Sequence, residues 1–350
     1  MQYNSYDEIP EDLQIDNFNF QSLEHYNTEI LDLADPKYDL QGKYVLSCSC
    51  DKRFSNSKVK HIKNIDILNF HFCISLADLF NGFKHLETIE GLENIDTSNV
   101  NDMHCMFYGC NSLKSLNLSN FNTSNVININ YMFGYCLSLK SLNLNNWDTS
   151  NITNMECAFH HCTSLTSLNI SNWNTSNVIY MGYMFGFCES LTELDLTEWD
   201  VSNVRDIRYM FNNCESLETL DLNNWNTSNI RLIIGTFASC NSLTTLNISN
   251  WDVSKACIIT ILIDSCKSLT TLNISNWDVS NVRNLRLFVI DCDSLKTINL
   301  SNMTIDNTDK IINSIENTKN YQNDNEININ FITSHDYKMH NNYLLYRETH

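Results

Sequence analysis

Leu165-Thr-Ser-Leu-Asn-Ile-Ser-Asn-Trp-Asn-Thr-Ser-Asn-Val-Ile-Tyr-Met-Gly-Tyr-Met-Phe-Gly-Phe-Cys-Glu-Ser190 is one copy of a unit that the chain repeats with a fixed period. A cysteine recurs every 26 residues, at Cys110, Cys136, Cys162, Cys188, Cys214, Cys240, Cys266 and Cys292. Tryptophan keeps the same beat at Trp147, Trp173, Trp199, Trp225, Trp251 and Trp277, and Phe121 and Met303 hold the equivalent end positions. Self-similarity at this period defines a solenoid, in which each coil contacts only its neighbours. Such an array presents surfaces rather than an enclosed active site, so the chain is read as a non-enzyme that requires no cofactor.

Within the unit, Leu165, Leu168 and Ile170 have the L-x-x-L-x-L spacing of a short strand. Alternation places Leu168 and Ile170 inside and Ser167, Asn169 and Ser171 outside. Asn-Thr-Ser-Asn is turn-forming, because short polar side chains bond nearby backbone. Met181, Met184, Phe185 and Cys188 are spaced as on one face of a short helix. The expected fold is therefore an α/β-type repeat solenoid with one short parallel strand and one short helical segment per repeat. One coil alone has nowhere to bury its apolar positions, whereas stacking stabilises by about 1.5–3 kcal/mol per large side chain buried.

Four regions follow. Residues 1–42 are an acidic lead, expected to be loosely ordered, and residues 43–85 read as an N-terminal capping unit. Residues 86–317 are the solenoid, and residues 318–350 read as a cap strand and tail, with Glu326-Ile-Asn-Ile-Asn-Phe-Ile alternating like a strand. The first repeat carries one extra residue around Ile89-Glu-Gly-Leu-Glu-Asn-Ile95, and the last has Thr318 where cysteine is due. Proline is confined to Pro10 and Pro36, so none interrupts pairing in the array.

The stretch from about Leu86 to Ile315 carries L-x-x-L-[ND]-[LI]-S-N-W-[ND]-[TV]-S-N-V followed by M-x-x-M-F-x-x-C. It closely resembles the BspA-like leucine-rich-repeat family of surface proteins. The resemblance implies a right-handed, leucine-rich-repeat-like solenoid, and binding or adhesion rather than catalysis. Family members usually carry an export signal or wall anchor. Met1-Gln-Tyr-Asn-Ser-Tyr-Asp-Glu is polar and acidic, unlike a secretory signal. The leader thus favours an intracellular location, while the resemblance suggests the cell surface.

The net charge is -19, and within residues 1–42 ten acidic residues oppose Lys37 alone. That balance excludes a phosphate-binding surface, hence nucleic acid, and disfavours anionic membranes. The longest apolar run, Ala256 to Ile263, is far short of the ~20 residues that span a bilayer, so no membrane insertion is expected. The expected partner is a protein or a glycan. Oligomeric state is not legible.

Candidate sites are few. The repeat cysteines, flanked by Phe and Leu, read as reduced structural thiols in preference to disulfides or redox centres. Cys48, Cys50, His61, His71 and Cys73 supply zinc-ligand types, but in no standard zinc spacing. Asn117, Asn143, Asn169, Asn247, Asn273 and Asn299 are expected to form a stacked amide ladder on the strand face. Asp195 and Asp221 interrupt it, with Glu193 beside them, as a candidate site for a cation or a basic partner; solvated acids are the simpler account. Arg205, Arg231 and Arg283 share one repeat position and Arg208 and Arg286 another, a partial basic stripe that surface pairing also explains. Leu232, Ile258, Ile261 and Leu287 replace polar or aromatic residues of earlier coils. Pointing outward they would form a partner-binding apolar patch; repacked inward they are core. Asn117, Asn122, Asn169, Asn174, Asn247 and Asn273 lie in N-x-S/T sequons, a by-product of the consensus.

Overall fold

The computed structural model describes residues 3–18, 20, 28–48, 57–287, 291–316, 330–333 and 344–347. The chain divides into two compact units, residues 1–177 and 178–350. Each is a β-solenoid whose neighbouring coils pair in parallel.

The first unit contains β1 (Gln14–Ile15), β2 (Ile30–Asp32), β3 (Tyr44–Val45), β4 (His61–Lys63), β5 (Thr88–Ile89), β6 (Ser115–Asn117) and β7 (Ser141–Asn143). Strand β1 pairs with β3, β2 with β4 and then β5, and β6 with β7, all in parallel. Parallel pairing therefore begins at Gln14, inside the acidic lead. A second line of bridges joins Ser47, Ser75, Asp102, Asn128 and Asn154. Each of these coils is tied to the next along two edges.

In the second unit the bridge line Tyr180–Asp206–Leu232 widens into strands β8 (Leu232–Ile234), β10 (Ile258–Thr260) and β12 (Asn284–Arg286). The other edge carries β9 (Thr245–Asn247), β11 (Thr271–Asn273), β13 (Thr297–Asn299), β14 (Asn330–Thr333) and β15 (Leu344–Arg347). In this sheet Asn273 pairs in register with Asn247 and Asn299. Strand β14 overlaps the end of the alternating stretch at residues 326–332 and pairs with β13 and β15, while residues 326–329 and Thr318 lie outside the described residues. Helix α1 (Ile305–Glu316) is the one α-helix among the described residues, and none there is long and apolar enough to cross a membrane.

The short helical segment expected in each repeat is instead a pair of successive turns. Met184, Gly186 and Cys188 donate N–H within the coil to Met181, Tyr183 and Phe185. The intervening Met181, Tyr183, Phe185 and Phe187 donate to Asp206, Arg208, Met210 and Asn212 of the next coil, at 2.7–3.1 Å. An α-helix would keep all these amides inside the coil. A segment this short is marginal as a helix, whereas half its amides here build a ladder between coils. The apolar face survives the change, because Met181, Met184, Phe185 and Cys188 are all fully buried. The geometry requires left-handed backbone at Tyr183 (φ 57°) and Phe187 (φ 62°), and the same two positions recur at Tyr209 and Asn213. In the first unit they fall at Cys105 and Gly109, Tyr131 and Tyr135, and Cys157 and His161.

Identical residues stack in the core. Phe80, Phe107, Phe133 and Phe159 form a column with centroids 5.3–5.7 Å apart, and Phe185, Phe211 and Phe237 another. Trp147 lies parallel to Trp173, and Trp225 to Trp251, each pair at 6.0 Å. The repeat thiols donate to the carbonyl of a phenylalanine one coil back: Cys136 to Phe107, Cys162 to Phe133, Cys214 to Phe185, each at 3.2 Å. Burial pushes the Cys136 thiol up to about 12 and the Cys214 thiol well above its ordinary value. No disulfide joins the described cysteines.

Asn-Thr-Ser-Asn has a division of labour. The first residue's carboxamide or carboxylate accepts from the backbone two residues on, as Asn122 does from Ser124 and Asp148 from Ser150. Threonine is buried and donates to the next coil, Thr123 to Asp148 O and Thr149 to Asn174 O. The fourth residue reaches the previous coil, Asn125 to Ser98 O and Asn151 to Ser124 O, both at 2.7 Å.

The extra residue of the first repeat is absorbed by a 3-10 turn at Leu92–Asn94 behind Gly91, whose φ is 87°. A Cβ at Gly91 would collide with the Asp66 carboxylate, whereas Gly42, also at positive φ, has nothing within 4 Å. Gly91→Ala should therefore lower stability more than Gly42→Ala. The backbone alone costs about 1–3 kcal/mol in each, and denaturant midpoints report the steric excess at Gly91.

Near the same end, His104 bridges Asp102 (Nδ1–Oδ2 3.0 Å) and Asp78 (Nε2–Oδ2 3.4 Å). Its bonds to Asp102 and Asp78 outweigh partial burial and raise its pKa to about 10. The stabilisation is complete below about pH 6.5, the ordinary histidine value, and fades as pH rises towards 10. His104→Gln should flatten the stability profile of the chain over that interval.

Burial also predicts thiol chemistry. Among the described cysteines only Cys105 and Cys257 are part-exposed. Alkylation of native protein followed by peptide mass analysis should label these two rapidly, and the repeat thiols only on unfolding.

Candidate interaction surfaces

Most repeated polar side chains are committed to backbone. Asn117, Asn247 and Asn273 each accept from the N–H two residues on in their own coil. The strand-face asparagines thus hold turns, while the amides that cross between coils are those of the fourth turn residue, which bond serine carbonyls. Asp195 and Asp221 sit in the same turn role. Asp195 Oδ1 accepts from Thr197 N and Oγ1, and Asp221 Oδ1 from Asn223 N and Nδ2. The Thr197 bonds hold the exposed Asp195 carboxyl below its usual value. Both carboxylates and Glu193 are exposed. No group of three metal-ligating side chains forms among the described residues.

The candidate zinc residues are separated by environment. Cys48 and Cys73 are buried, and burial together with the Cys73 contact raises the Cys48 thiol well above normal. His61 Nδ1 lies 2.9 Å from Thr88 Oγ1, and His71 Nδ1 lies 2.7 Å from Asp96 Oδ2. Cys50 lies outside the described residues.

Turn-holding side chains also form a column along the bridge edge within each unit, at Asp102, Asn128 and Asn154 in the first and beginning with Asp206 in the second. Asp206 also forms a forked ion pair with Arg208, with Nη2–Oδ2 at 2.7 Å. The next coils break this column. Leu232 and Ile234 take the places of Asp206 and Arg208, and Ile258 and Thr260 follow in register. Without a side chain to end the pairing, the bridge lengthens into β8, β10 and β12.

Alternation along these strands buries Ile233 and Ile259 and leaves Leu232, Ile234 and Ile258 half-exposed. Ile261 is half-exposed too and adopts φ 57°, a conformation that β-branched residues strongly avoid. Leu287 departs from the set: at 2% exposure it is core. Of the basic stripe, Arg205, Arg231, Arg283 and Arg286 are exposed, whereas Arg208 is bound to Asp206.

Two features of the first unit escaped sequence reasoning. Tyr108, Tyr131, Tyr135, His160 and His161 converge, with Tyr135 stacked on His161 at 4.4 Å and edge-on to Tyr108 at 5.4 Å. A cleft of about 520 Å³ also opens between aromatic and polar walls, Tyr3, Tyr44, His71 and Phe72 against Asp66, Asn69, Asn94 and Asp96. Neither recurs at the repeat period, so the pattern carried no signal for either.

Seen against known proteins, the chain is similar to solved structures that include the following two. One is the crystal structure of a TLR13–ssRNA13 complex, at 15% identity over 86% of this chain and 52% of that chain, with a TM-score of 0.30. The chain thus spans about half the length of that protein. The other is a leucine-rich repeat protein from Bacteroides ovatus, at 16% identity over 84% of this chain and 94% of that one, TM-score 0.24. No curated protein matches. A family model described as "Mycoplasma protein of unknown function, DUF285" matches residues 48–143, 74–167, 136–245 and 233–344. These overlapping matches take in most of the chain, which belongs to this family of repeat proteins.

Proposed function

We propose that the protein is a non-enzymatic scaffold that binds a macromolecular partner, a protein, through the outer surface of its coils. The observation that carries this reading is the exchange of the Asp206–Arg208 ion pair for Leu232 and Ile234, then for Ile258, at outward positions of successive coils. The core needs nothing from these positions, since Ile233 and Ile259 already fill it. Apolar side chains clustered outside gain only when something covers them. Ile261 adds to the argument, because holding a β-branched residue at φ 57° costs stability that a polar residue would not lose. The exposed Glu193, Asp195 and Asp221 offer a separate acidic surface for a basic partner, and a cation there is the weaker reading given that both aspartates already hold turns.

The alternative is a surface adhesin contacting host protein or glycan. Its support is the similarity of the repeat motif to BspA-like surface proteins, together with the committed, non-catalytic use of the repeated polar groups.

Ile258→Ser and Ile261→Asn test the scaffold. Ile261→Asn should keep or raise stability, by about 1 kcal/mol, because asparagine tolerates this backbone. Photo-crosslinking from position 234 in the native source should then trap a partner with the parent chain and lose it with either variant. A marked fall in stability on Ile261→Asn would make the residue core. Unchanged trapping would remove the patch as the binding surface.

A further inference from the structure

The cleft of the first unit has the composition of a small-molecule site, and its parts come from coils that the repeat does not constrain to match. One wall is a chain of rings: Tyr3 meets Tyr44 edge-on at 5.6 Å, Tyr44 meets Phe72 at 6.1 Å, and Phe72 meets His71 at 4.7 Å. The facing wall is polar and already held in place. Asn94 Nδ2 donates to Asp66 Oδ2 at 3.0 Å, and Asp96 accepts from Ser98 N at 2.9 Å while lying 2.7 Å from His71. Asn69 Oδ1 accepts from His71 N at 2.9 Å. These bonds hold Asp66 Oδ2, Asn94 Nδ2, Asn69 Oδ1 and His71 Nδ1, each at one end of a planar group that lines the cleft.

The Asn69 amide donor and the oxygen acceptors of Asp66, Asn94 and Asp96 therefore line one cavity beside an aromatic wall. A bare cation would use only the acceptors. A saccharide uses all three features, because each ring hydroxyl both donates and accepts and its C–H face packs on an aromatic ring. The volume, about 520 Å³, is in the range that holds a small ligand. We infer that the cleft bounded by Tyr44, Phe72, Asp66, Asn69, His71 and Asn94 is a binding site for a neutral saccharide. This inference does not rest on the protein-binding surface of the second unit, and either can fail alone.

Saturation-transfer NMR on the full chain tests it, with glucose, galactose, mannose and N-acetylglucosamine as probes and tetramethylammonium as a competing chemistry. At least one sugar should show transfer, strongest at its ring C–H protons. Phe72→Ala and Asp66→Asn should each weaken that signal at least tenfold, with far-UV circular dichroism unchanged. Gly42→Asn gives a second reading, since Gly42 lines the cleft, asparagine accepts the φ of 73° there and a Cβ meets nothing within 4 Å. It should weaken sugar binding without altering the denaturant midpoint. No transfer with any of the four sugars overturns the inference. So does binding that survives in Phe72→Ala and Gly42→Asn, or binding of tetramethylammonium alone.

Discussion

The structure depends on one arrangement: in the turn segment of each coil, alternate backbone amides bond within the coil and the others bond to the next coil. Met181, Tyr183, Phe185 and Phe187 show the second half of this pattern, reaching Asp206, Arg208, Met210 and Asn212. Because every rung must meet its equivalent, the residue count per coil cannot drift, and the same side chain returns to the same place. The phenylalanine columns and the thiol-to-carbonyl bonds follow from that register. So does the left-handed backbone at Tyr183 and Phe187, whose cost of about 1–3 kcal/mol each is set against the inter-coil bonds and the burial they secure. Where one coil has an extra residue, it must be disposed of locally, and the turn behind Gly91 does so.

The same register explains why a chain this polar shows so little recurring chemistry. Side-chain oxygens of Asn and Asp cap turns, threonine hydroxyls and asparagine amides cross between coils, and the thiols point into the core. A group committed to backbone in every repeat has little left for a substrate. Individuality arises where the column is broken: at Leu232 and Ile258, which end the line of turn-capping side chains, and at the amino-terminal coils around Tyr44 and Phe72, which precede the regular repeat.

Leu232, Ile258 and Ile261 were legible as departures from a strict consensus, and all three are half-exposed. Leu287 departed from the consensus equally but turned inward, because strand phase decides the side and spacing alone does not determine phase where a turn gives way to a strand. Asp195 and Asp221 stood out by charge, yet they act as the asparagines they replace, since either side chain accepts the same N–H. The aromatic cluster around Tyr135 and the cleft beside Phe72 had no periodic signature at all.

From the sequence alone came the period, the solenoid, the inward residues and the turn at Asn-Thr-Ser-Asn, because these are properties that each coil repeats and that hydrophobic spacing expresses directly. The tertiary structure decided the rest. It replaced a short helix with paired turns, since spacings of three and four residues fit both and only the inter-coil amide bonds distinguish them. It also carried parallel pairing upstream to Gln14 and assembled a cleft from Tyr3, Tyr44, Asp66, Phe72 and Asn94. Residues that meet once, from coils of unequal length, leave no pattern in a linear chain; their proximity exists only after the coils are stacked.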